Sequence, residues 1–431
     1  MRPMPIVPLL SGSDAERWIA ARAQLAHDDE ARAAVVPILS AVRQRGDEAL
    51  IELGQRFDGV TPPSFRAPRE DLREALADLA VARRRALEAA RANIERFHRG
   101  QVRDEAPIAV RPGLDIWREF RPIERVGIYV PGGRADYPSS LLMCGVPARI
   151  AGCREIVVCS PPGPDGRVAE SVLATAELLE IEEVFAVGGA QAIAAMAFGT
   201  GSIPRVDKIF GPGNRYVTAA KELVHGVVNV DLPAGPSEIV VVCDGAARPA
   251  WVAADLISQA EHSADSLAVC ITTDPAVAEA VAAALEWQVK ALPESGAAEA
   301  SLAASAICVA PDSEAAIDWV NALAPEHLSV MTADDETVLR RVRHAGSIFL
   351  GPHSPVAAGD YAAGSNHVLP TGRRARAWSA LSLDDFGRWV QVQRLTASGL
   401  AEIAEAARTM ARWEGFEAHA RAVEMRFEEG R

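Results

Sequence analysis

The chain has 431 residues, of which 49% are hydrophobic and 24% charged, and its formal net charge at pH 7 is −14. This length exceeds what one ordinary hydrophobic core supports, so we expect a soluble globular protein with two or more domains. The negative charge argues against nucleic acid as the main partner, and the lack of a signal-peptide core or an apolar run of roughly 20 residues argues against a membrane span and predicts a cytoplasmic location.

The N-terminal part of the chain has a helical pattern of apolar residues. Ser13 and Glu16 form a capping-box signature, and two longer helices are predicted at residues 32–57 and 69–98 with a turn rich in glycine and proline between them. Nothing in this region has the character of a catalytic group. His98 is expected at the surface.

From residue 126 to residue 350, short β-branched runs alternate with helical stretches. This alternation predicts parallel sheets built from βαβ units, and so many strands favour two sheets over one. The runs are VGIYV, EIVVC, EEVFAV, DKIF, EIVVVC, SLAVCIT, AICVA, HLSVMT and SIFL.

Three of the predicted strand-to-helix turns are rich in glycine. Glycines at such turns let backbone N–H groups approach a phosphate at a helix N-terminus. Tight turns also need glycine for purely structural reasons, and none of the three completes G-x-G-x-x-G, so both interpretations stay open. The turns are Pro131-Gly132-Gly133, Gly188-Gly189-Ala190-Gln191 and Gly211-Pro212-Gly213-Asn214.

The cysteines contain no C-x-x-C pair, and several of them lie in or beside apolar runs. Buried free thiols are therefore a better interpretation than disulfides or a thiolate metal site. The six cysteines are Cys144, Cys153, Cys159, Cys243, Cys270 and Cys308.

A predicted helix at residues 250–261 is apolar except for one polar stripe. Asp255, Gln259 and His262 are spaced by four and three residues, which places them on one helix face. For Asp255, a solvated surface position is the simpler interpretation. For Gln259 and His262 the rest of the chain offers partners.

The stretch from 351 to 372 has neither strand nor helix periodicity, and it is longer than most connections, so we interpret it as a functional loop. It contains His353, Asp360 and His367, and Glu414 and His419 follow on the predicted C-terminal helices. Together with the amide and imidazole of the polar stripe, these residues supply nitrogen and oxygen ligands suited to zinc.

Glu326 and His327 stand side by side between Pro325 and a predicted strand, at a sheet edge where α/β enzymes place their sites. A carboxylate and an imidazole can act as two proton acceptors near neutral pH. A solvated helix end with the histidine near the negative end of the helix dipole explains the pair equally well.

Beyond these local patterns, the chain resembles the histidinol dehydrogenase family over nearly its whole length from about residue 121. The string VDLPAGPSEIVVVCDGAARPAWVAADLISQAEH is similar to the signature segment of that family. The resemblance extends to YVPGGRADYPSSLLMCGVPARIAGC, GGAQAIAAMAFGT, KIFGPGNRYVTAAK, APEHLSVMT, GSIFLGPHSPVAAGDYAAGSNHVLPTG and WEGFEAHARAVEMR.

The resemblance implies a role for individual residues. It implies that His327 is the proton acceptor with Glu326 as its partner, and that the cofactors are NAD and one zinc ion per subunit. The implied zinc ligands, which also contact the substrate, are Gln259, His262, Asp360 and His419; the further substrate contacts are Ser237, His327, His367 and Glu414; and the nucleotide contacts are Tyr129, Gln191 and Asn214.

The implied fold is α/β, with two incomplete Rossmann-like domains that contain parallel sheets, plus helical segments at both ends. Residues 1–25 form an N-terminal helical arm, and residues 26–128 with 238–380 form the zinc and substrate domain. Residues 129–237 form the NAD domain, and residues 381–431 form a helical segment that packs on the partner subunit. The implied assembly is a homodimer with shared active sites.

The implied reaction is the oxidation of L-histidinol to L-histidine through a bound aldehyde, with two molecules of NAD reduced. A related dehydrogenase that acts on a small hydroxylated sulfonate is one alternative, although His367 and Glu414 suit the imidazole and amine of histidinol. A zinc hydrolase with Glu326 as the base is the other, but it leaves the three glycine turns unexplained.

Overall fold

A computed structural model describes residues 6–23, 28–132, 136–232 and 235–428. The chain divides into two compact units. Unit 1 comprises Met1–Gln101 and Ile123–Phe386, and unit 2 comprises Val102–Pro122 and Gly387–Arg431. Within the described ranges, no helix is both long enough and apolar enough to cross a membrane.

The strands are short, and those of unit 1 are rich in β-branched residues. In chain order they are β1 (Leu9–Ser11), β2 (Ile108–Arg111), β3 (Leu114–Pro122), β4 (Arg125–Tyr129), β5 (Glu155–Ser160), β6 (Glu183–Ala186), β7 (Lys208–Phe210), β8 (Asn229–Val230), β9 (Glu238–Cys243), β10 (Leu267–Thr272), β11 (Ala306–Val309), β12 (His327–Met331), β13 (Ser347–Leu350) and β14 (Gly387–Leu395).

Unit 1 contains two parallel sheets. The first has six strands in the order β1-β11-β10-β9-β12-β13, and the second has five in the order β6-β5-β4-β7-β8. In both, the chain builds outward from a central strand on one side and then returns to add strands on the other. The strand order therefore reverses between β9 and β12 and between β4 and β7, as in doubly wound α/β folds.

The helices of unit 1 pack on its two parallel sheets, and the last two helices belong to unit 2. In chain order they are α1 (Gly12–Arg22), α2 (Asp29–Arg45), α3 (Asp47–Phe57), α4 (Arg69–Asp78), α5 (Val81–Arg99), α6 (Pro138–Ala151), α7 (Glu170–Leu178), α8 (Gly189–Phe198), α9 (Arg215–Val224), α10 (Pro249–Ala260), α11 (Pro275–Val289), α12 (Gly296–Ala304), α13 (Ser313–Leu323), α14 (Asp335–Arg341), α15 (Val356–Tyr361), α16 (Ala397–Trp413) and α17 (Glu417–Glu424). Two short 3₁₀ helices lie at Arg374–Arg376 and Leu383–Phe386.

Each parallel sheet is buried on both faces, which explains why its strands read as continuous apolar runs. On one face of the five-stranded sheet, α2 and α3 pack with α8 and α9 in one apolar cluster. On the other face, α4 and α5 pack with α6 and α7. The six-stranded sheet lies between α10 and α11 on one face and α1 and α13 on the other.

The nine predicted strand runs between residues 126 and 350 are confirmed, as are the two parallel sheets. The N-terminal predictions are less accurate. Residues 32–57 form two helices rather than one, since the chain breaks at Gly46, whose φ is +55°, and residues 69–98 also form two helices, α4 and α5. The capping box is wrong, because Ser13 lies inside α1 and the preceding Ser11 occupies the N-cap without a side-chain hydrogen bond.

The packing of the N-terminal segment also differs from the expectation. Residues 1–25 supply a strand as well as a helix, because β1 pairs with β11 at the edge of the six-stranded sheet. Helices α2 to α5, which the expected boundaries place in the zinc and substrate domain, pack on the five-stranded sheet instead. Helical periodicity indicates an apolar face but not the sheet that covers it.

Unit 2 contains an antiparallel sheet in the order β14-β3-β2, followed by α16 and α17. The sequence patterns do not predict these three strands, and the expectation that residues 381–431 are helical is wrong for β14. Their residues are largely exposed or half-buried, and charged side chains interrupt the β-branched ones, so the apolar signal that marks the other strands is weak here.

Candidate active site and cofactor cavity

Glu326 and His327 lie at the amino end of β12, and both are buried, at 6% and 4% exposure. The backbone of Glu238, the first residue of the neighbouring strand β9, holds both side chains. Its N–H donates to Glu326 Oε2 at 2.8 Å, and its carbonyl oxygen lies 3.1 Å from His327 Nδ1. The interpretation of this pair as a solvated helix end is therefore wrong.

The hydrogen bond to the carbonyl oxygen determines which ring nitrogen of His327 carries a proton. Because a carbonyl can only accept, Nδ1 donates and the neutral ring presents a lone pair at Nε2. Nε2 is buried and lies 3.5 Å from Asp360 Oδ1, too far for a hydrogen bond, and it has no other hydrogen-bond partner among the described residues.

The electrostatics of the site are dominated by carboxylates. Burial by itself lowers the pKa of His327, but the charges of Glu326 and Asp360 outweigh it and raise the value to about 10. Burial likewise raises the pKa of Asp360, and the nearby imidazoles of His327, His367 and His262 outweigh that effect and lower it. Without any bound ion, the two carboxylates of Glu326 and Asp360 thus favour a protonated, positively charged His327 between them.

The other implied metal ligands of unit 1, Gln259 and His262, lie at the end of α10, which packs against the helix α15 that carries Asp360. Gln259 is 1% exposed near the end of α10, and its Nε2 has no hydrogen-bond partner in the described part of the chain. His262 follows the end of α10 and is exposed, and it contributes to the lowered pKa of Asp360. His367 Nδ1 lies 2.8 Å from the backbone oxygen of Asp360. Burial lowers the pKa of His367.

The donor set fits a zinc ion in its chemistry. The orientation of an amide is assigned from its hydrogen bonds, so an unpaired Gln259 amide can offer its oxygen to a cation after a flip. Imidazole and carboxylate groups complete a nitrogen and oxygen set. Within the described ranges, however, no three histidine, cysteine, aspartate or glutamate side chains gather as a metal site in the single chain.

Asp255 corrects the sequence interpretation. It is buried at 6% exposure and accepts a hydrogen bond from Ser329 at 3.3 Å. Burial, with a smaller contribution from the Asp360 carboxylate, raises its pKa to about 6. The polar stripe of α10 therefore faces the interior along its whole length up to Gln259.

The remaining implied substrate residues lie in different parts of the fold. Ser237 is half-buried directly before β9. Glu414 and His419 belong to unit 2, where Glu414 ends α16 and His419 lies on α17 with its ring 5.2 Å from that of Phe416. Both side chains are exposed.

The loop at 351–372 contains the short helix α15, which carries Asp360, so its prediction as fully irregular is wrong in that part. Asn366 anchors the loop by donating to the Met143 carbonyl oxygen at 2.7 Å and by contacting His98 Nε2 at 3.3 Å. His98 is fully buried, contrary to the expectation, and burial lowers its pKa.

A separate cavity of about 1340 Å³ lies at the carboxyl edge of the five-stranded sheet. Tyr129, Gln191 and Asn214 all line it, so the structure brings the three implied nucleotide contacts together. Each of the three glycine turns contributes a lining residue, although Gly133 lies outside the described residues. The cavity occupies the point where the strand order reverses, between β4 and β7, which is the usual ligand crevice of such sheets.

Hydrogen bonds hold Tyr129 and Asn214 in place, and Gln191 is buried. The Tyr129 hydroxyl oxygen accepts from the N–H of Gly189 at the start of α8, at 3.1 Å, and burial raises the pKa of that hydroxyl to about 12. Asn214 Oδ1 accepts from the N–H groups of Tyr216 and Val217, which caps α9. Gln191 is 2% exposed.

Sequence reasoning missed Glu238 and one wall of the cavity. The Glu238 side chain accepts from the Gly372 N–H at 3.0 Å, and burial together with the charge of Glu326 raises its pKa to about 7. Its position before an apolar strand run, like that of Glu326, is the signal that could have found it.

Helices α2 and α3 provide the missed wall through residues such as Ile38, Leu53 and Asp58.

Comparison with known proteins gives a consistent result. The family model for histidinol dehydrogenase matches residues 21–427. A histidinol dehydrogenase of Vibrio parahaemolyticus is 46% identical over 410 residues, which cover 94% of this chain and 94% of that protein. One of Methanothermobacter thermautotrophicus is 46% identical over 399 residues, which cover 92% of this chain and 94% of that protein.

Solved structures agree with these matches. The crystal structure of histidinol dehydrogenase from Elizabethkingia anophelis is similar with a TM-score of 0.93 at 39% identity, and the match covers 98% of both chains. An acetylating aldehyde dehydrogenase from Geobacillus thermoglucosidasius, with a TM-score of 0.50 at 13% identity over 88% of this chain and 96% of that one, shares the fold alone.

Proposed function

Because the chain belongs to the histidinol dehydrogenase family, a family of oxidoreductases, we propose that it oxidises L-histidinol to L-histidine in two successive NAD-dependent steps. This is the last step of histidine biosynthesis, and we place it in the cytoplasm. The assay described below distinguishes this function from the two alternatives, a related sulfonate dehydrogenase and a zinc hydrolase.

The observation that carries the proposal is the environment of His327. Its Nδ1 is held by the Glu238 carbonyl, and its Nε2 is buried beside Asp360 without a hydrogen-bond partner among the described residues. When a bound cation offsets the charges of Glu326 and Asp360, the neutral ring keeps its proton at Nδ1 and its Nε2 lone pair is suited to take the hydroxyl proton of an alcohol as the hydride leaves. His327 is the proton acceptor of both oxidations.

Glu326 has a different task in the second oxidation, which starts from a hydrated aldehyde. Its Oε2 accepts from the Glu238 N–H and lies 3.5 Å from His327 Nδ1, so the carboxylate is oriented and its charge supports a protonated imidazole. The same carboxylate is suited to activate the water that adds to the aldehyde. Burial of both side chains excludes competing bulk water.

NAD is the hydride acceptor, and Tyr129, Gln191 and Asn214 hold it in the cavity. Three observations support this assignment: the cavity volume, its place where the strand order reverses, and the start of α8, whose N–H groups and dipole suit a pyrophosphate.

Gln259, His262 and Asp360 would hold the zinc ion together with His419. When bound, zinc supplies positive charge that fixes the amine and imidazole of histidinol and balances the carboxylates around His327. The buried unpaired amide of Gln259 supports this ligand set. Ser237, His367 and Glu414 are the further substrate contacts.

His419 and Glu414 reach the site of the neighbouring subunit in a homodimer. The supporting observation is the apolar surface near them: Met410, Trp413 and Phe416 are 59%, 87% and 53% exposed. Inactive His262→Ala and inactive His419→Ala proteins should regain activity after subunit exchange, because one site of each mixed dimer carries neither lesion. Demonstrated heterodimers that stay inactive would contradict shared sites.

The function is tested by following nicotinamide reduction with histidinol. We expect two NADH for each histidinol, loss of activity after chelation, and recovery when zinc is restored. Reduction with a small hydroxylated sulfonate but not with histidinol would favour the related dehydrogenase. Ester or amide hydrolysis without NADH formation would favour the hydrolase.

A further inference from the structure

One buried ion pair, which the proposed reaction does not use, binds both polar backbone groups of Gly211. Lys221 lies on α9 and Asp231 follows β8, and their paired side chains are only 5% and 1% exposed. Lys221 Nζ donates to the Gly211 carbonyl oxygen at 3.0 Å, and Asp231 Oδ2 accepts from the Gly211 N–H at 2.8 Å. The ion pair thus binds both the carbonyl oxygen and the N–H of Gly211.

Gly211 begins the turn that carries Asn214 to the cofactor cavity. Its φ is +109°, and a Cβ at this position would overlap the carbonyl oxygen of Tyr129. The position of Gly211 therefore affects two cavity residues. Asn214 follows it in the same turn, and Tyr129 lies against it through the close approach. A small displacement of Gly211 would disturb both of them.

The pair also joins the ends of two strands. The Asp231 N–H donates to the Ile209 carbonyl oxygen on β7 at 2.9 Å, and Lys221 Nζ lies 3.5 Å from the carbonyl oxygen of Leu232. Leu232 is the last described residue before the segment that contains Ser237. Backbone groups next to the turn thus hold Lys221 and Asp231 in place beside Gly211.

Stability alone is a poor reason for two charges at this position. Desolvation of a buried ion pair often costs as much as the attraction returns, so apolar residues of similar volume would stabilise the fold equally well. What apolar residues could not do is bind the N–H and the carbonyl of Gly211. The geometry of the turn is the property that needs the charges.

We propose that Lys221 and Asp231 are positioning residues that hold the Gly211–Asn214 turn in the shape that binds the cofactor. The inference rests on the proposed function, because NAD is the occupant assigned to the cavity there. Binding sites held by a second layer of hydrogen bonds lose affinity when that layer is removed, even though the contacts with the ligand stay in place.

The test is direct titration of the full-length protein with NAD. Lys221→Met keeps most of the side-chain volume and removes the charge and the donors. We expect it to weaken NAD binding by about 10-fold or more, since the charged hydrogen bond to the Gly211 carbonyl is lost and the Asp231 carboxylate beside the Gly211 N–H loses its partner. In steady state, KM for NAD should rise while kcat at saturating NAD and KM for histidinol change little.

Two variants separate positioning from stability. Lys208→Met removes a lysine at the amino end of β7 that binds the backbone of Asp385 and acts on Asp231 only through its charge, so it should lower the melting temperature with a much smaller loss of NAD affinity than Lys221→Met. Lys221→Arg keeps the charge and should restore part of the affinity. The double variant Lys221→Met with Asp231→Leu removes the unpaired carboxylate and replaces the single variant if that one does not fold.

Several results would overturn the proposal. Unchanged NAD affinity in a folded Lys221→Met or double variant would mean that the pair only stabilises the fold. A lower kcat with unchanged NAD affinity would mean that the ion pair acts on the segment that contains Ser237 and not on the cofactor turn. Wild-type protein that neither binds nor reduces NAD would instead refute the proposed function, and the inference with it.

Discussion

The two parallel sheets of unit 1 share one construction but use opposite edges. In the five-stranded sheet the cavity lies at the carboxyl ends of β4 and β7, the usual place for a ligand. In the six-stranded sheet Glu238, Glu326 and His327 lie at the amino ends of β9 and β12. Along the chain the two edges are close: Asp231 follows β8 of the first sheet directly, and Ser237 directly precedes β9 of the second.

The two edges also differ in their electrostatics. The three implied nucleotide contacts at the cavity edge, Tyr129, Gln191 and Asn214, are neutral, whereas at the amino edge burial and nearby charges shift the pKa values of Glu238 and His327. Changes at the cavity edge should therefore alter affinity. Changes at the amino edge should alter rate and pH dependence.

The largest expected effect follows from His327→Asn at the amino edge. Loss of the proton acceptor should lower kcat for both oxidations by about 10²–10⁴-fold. Single-turnover NADH formation from histidinol and from the aldehyde measures the two steps separately. NAD affinity, measured by titration, should stay at the wild-type value; a large loss of affinity would show that the two edges are not independent.

Glu326→Gln tests a division of labour within the amino edge. The amide keeps the size of the side chain and an acceptor for the Glu238 N–H but lacks basicity, so aldehyde oxidation should slow by about 10²-fold or more and alcohol oxidation by less. The same single-turnover assay with both substrates provides the measurement. Equal slowing of the two steps would reduce Glu326 to a residue that orients His327.

A smaller effect concerns the pH dependence of stability. The pKa of Glu238 is raised from 4.5 to about 7, so the native state binds its proton more tightly than the unfolded state does. Stability of the zinc-free protein should therefore fall as the pH rises from about 4.5 to about 7, by at most about 3 kcal/mol from this group. Glu238→Gln should remove that loss and be more stable than wild type at pH 8.

Urea unfolding of both proteins between pH 4 and pH 8 measures this difference. Glu74→Gln on the exposed face of α4 is the control, and its stability should follow the wild type at every pH. A difference between Glu238→Gln and wild type that does not change with pH would mean that Glu238 titrates normally.

The smallest expected effect is at the cavity edge. Tyr129→Phe removes the oxygen that accepts from the Gly189 N–H, a neutral hydrogen bond worth about 0.5–1.5 kcal/mol. NAD affinity should fall by no more than about 10-fold, and kcat at saturating NAD should be retained. A drop in kcat similar to that of His327→Asn would assign Tyr129 to the chemistry rather than to binding.

Much of the site was accessible from the sequence because its residues lie in compact motifs. The pair Glu326-His327, the stripe that contains Gln259 and the turn that contains Asn214 each combine a polar residue with an element boundary that periodicity can locate. The burial of Asp255 and His98 was not accessible in this way. A polar residue is expected at the surface unless a partner is known, and their partners Ser329 and Asn366 are distant in the sequence.

The sequence by itself determined the strands, their parallel arrangement and the family, because β-branched runs and fixed motifs are local properties of the chain. Only the tertiary structure decided that α2 and α3 form a wall of the cavity and that β9 lies beside β12, with the Glu238 backbone against Glu326 and His327. The physical reason is that an apolar stripe or a strand end specifies that it must be covered or paired, whereas the identity of the partner depends on packing between segments far apart in the chain.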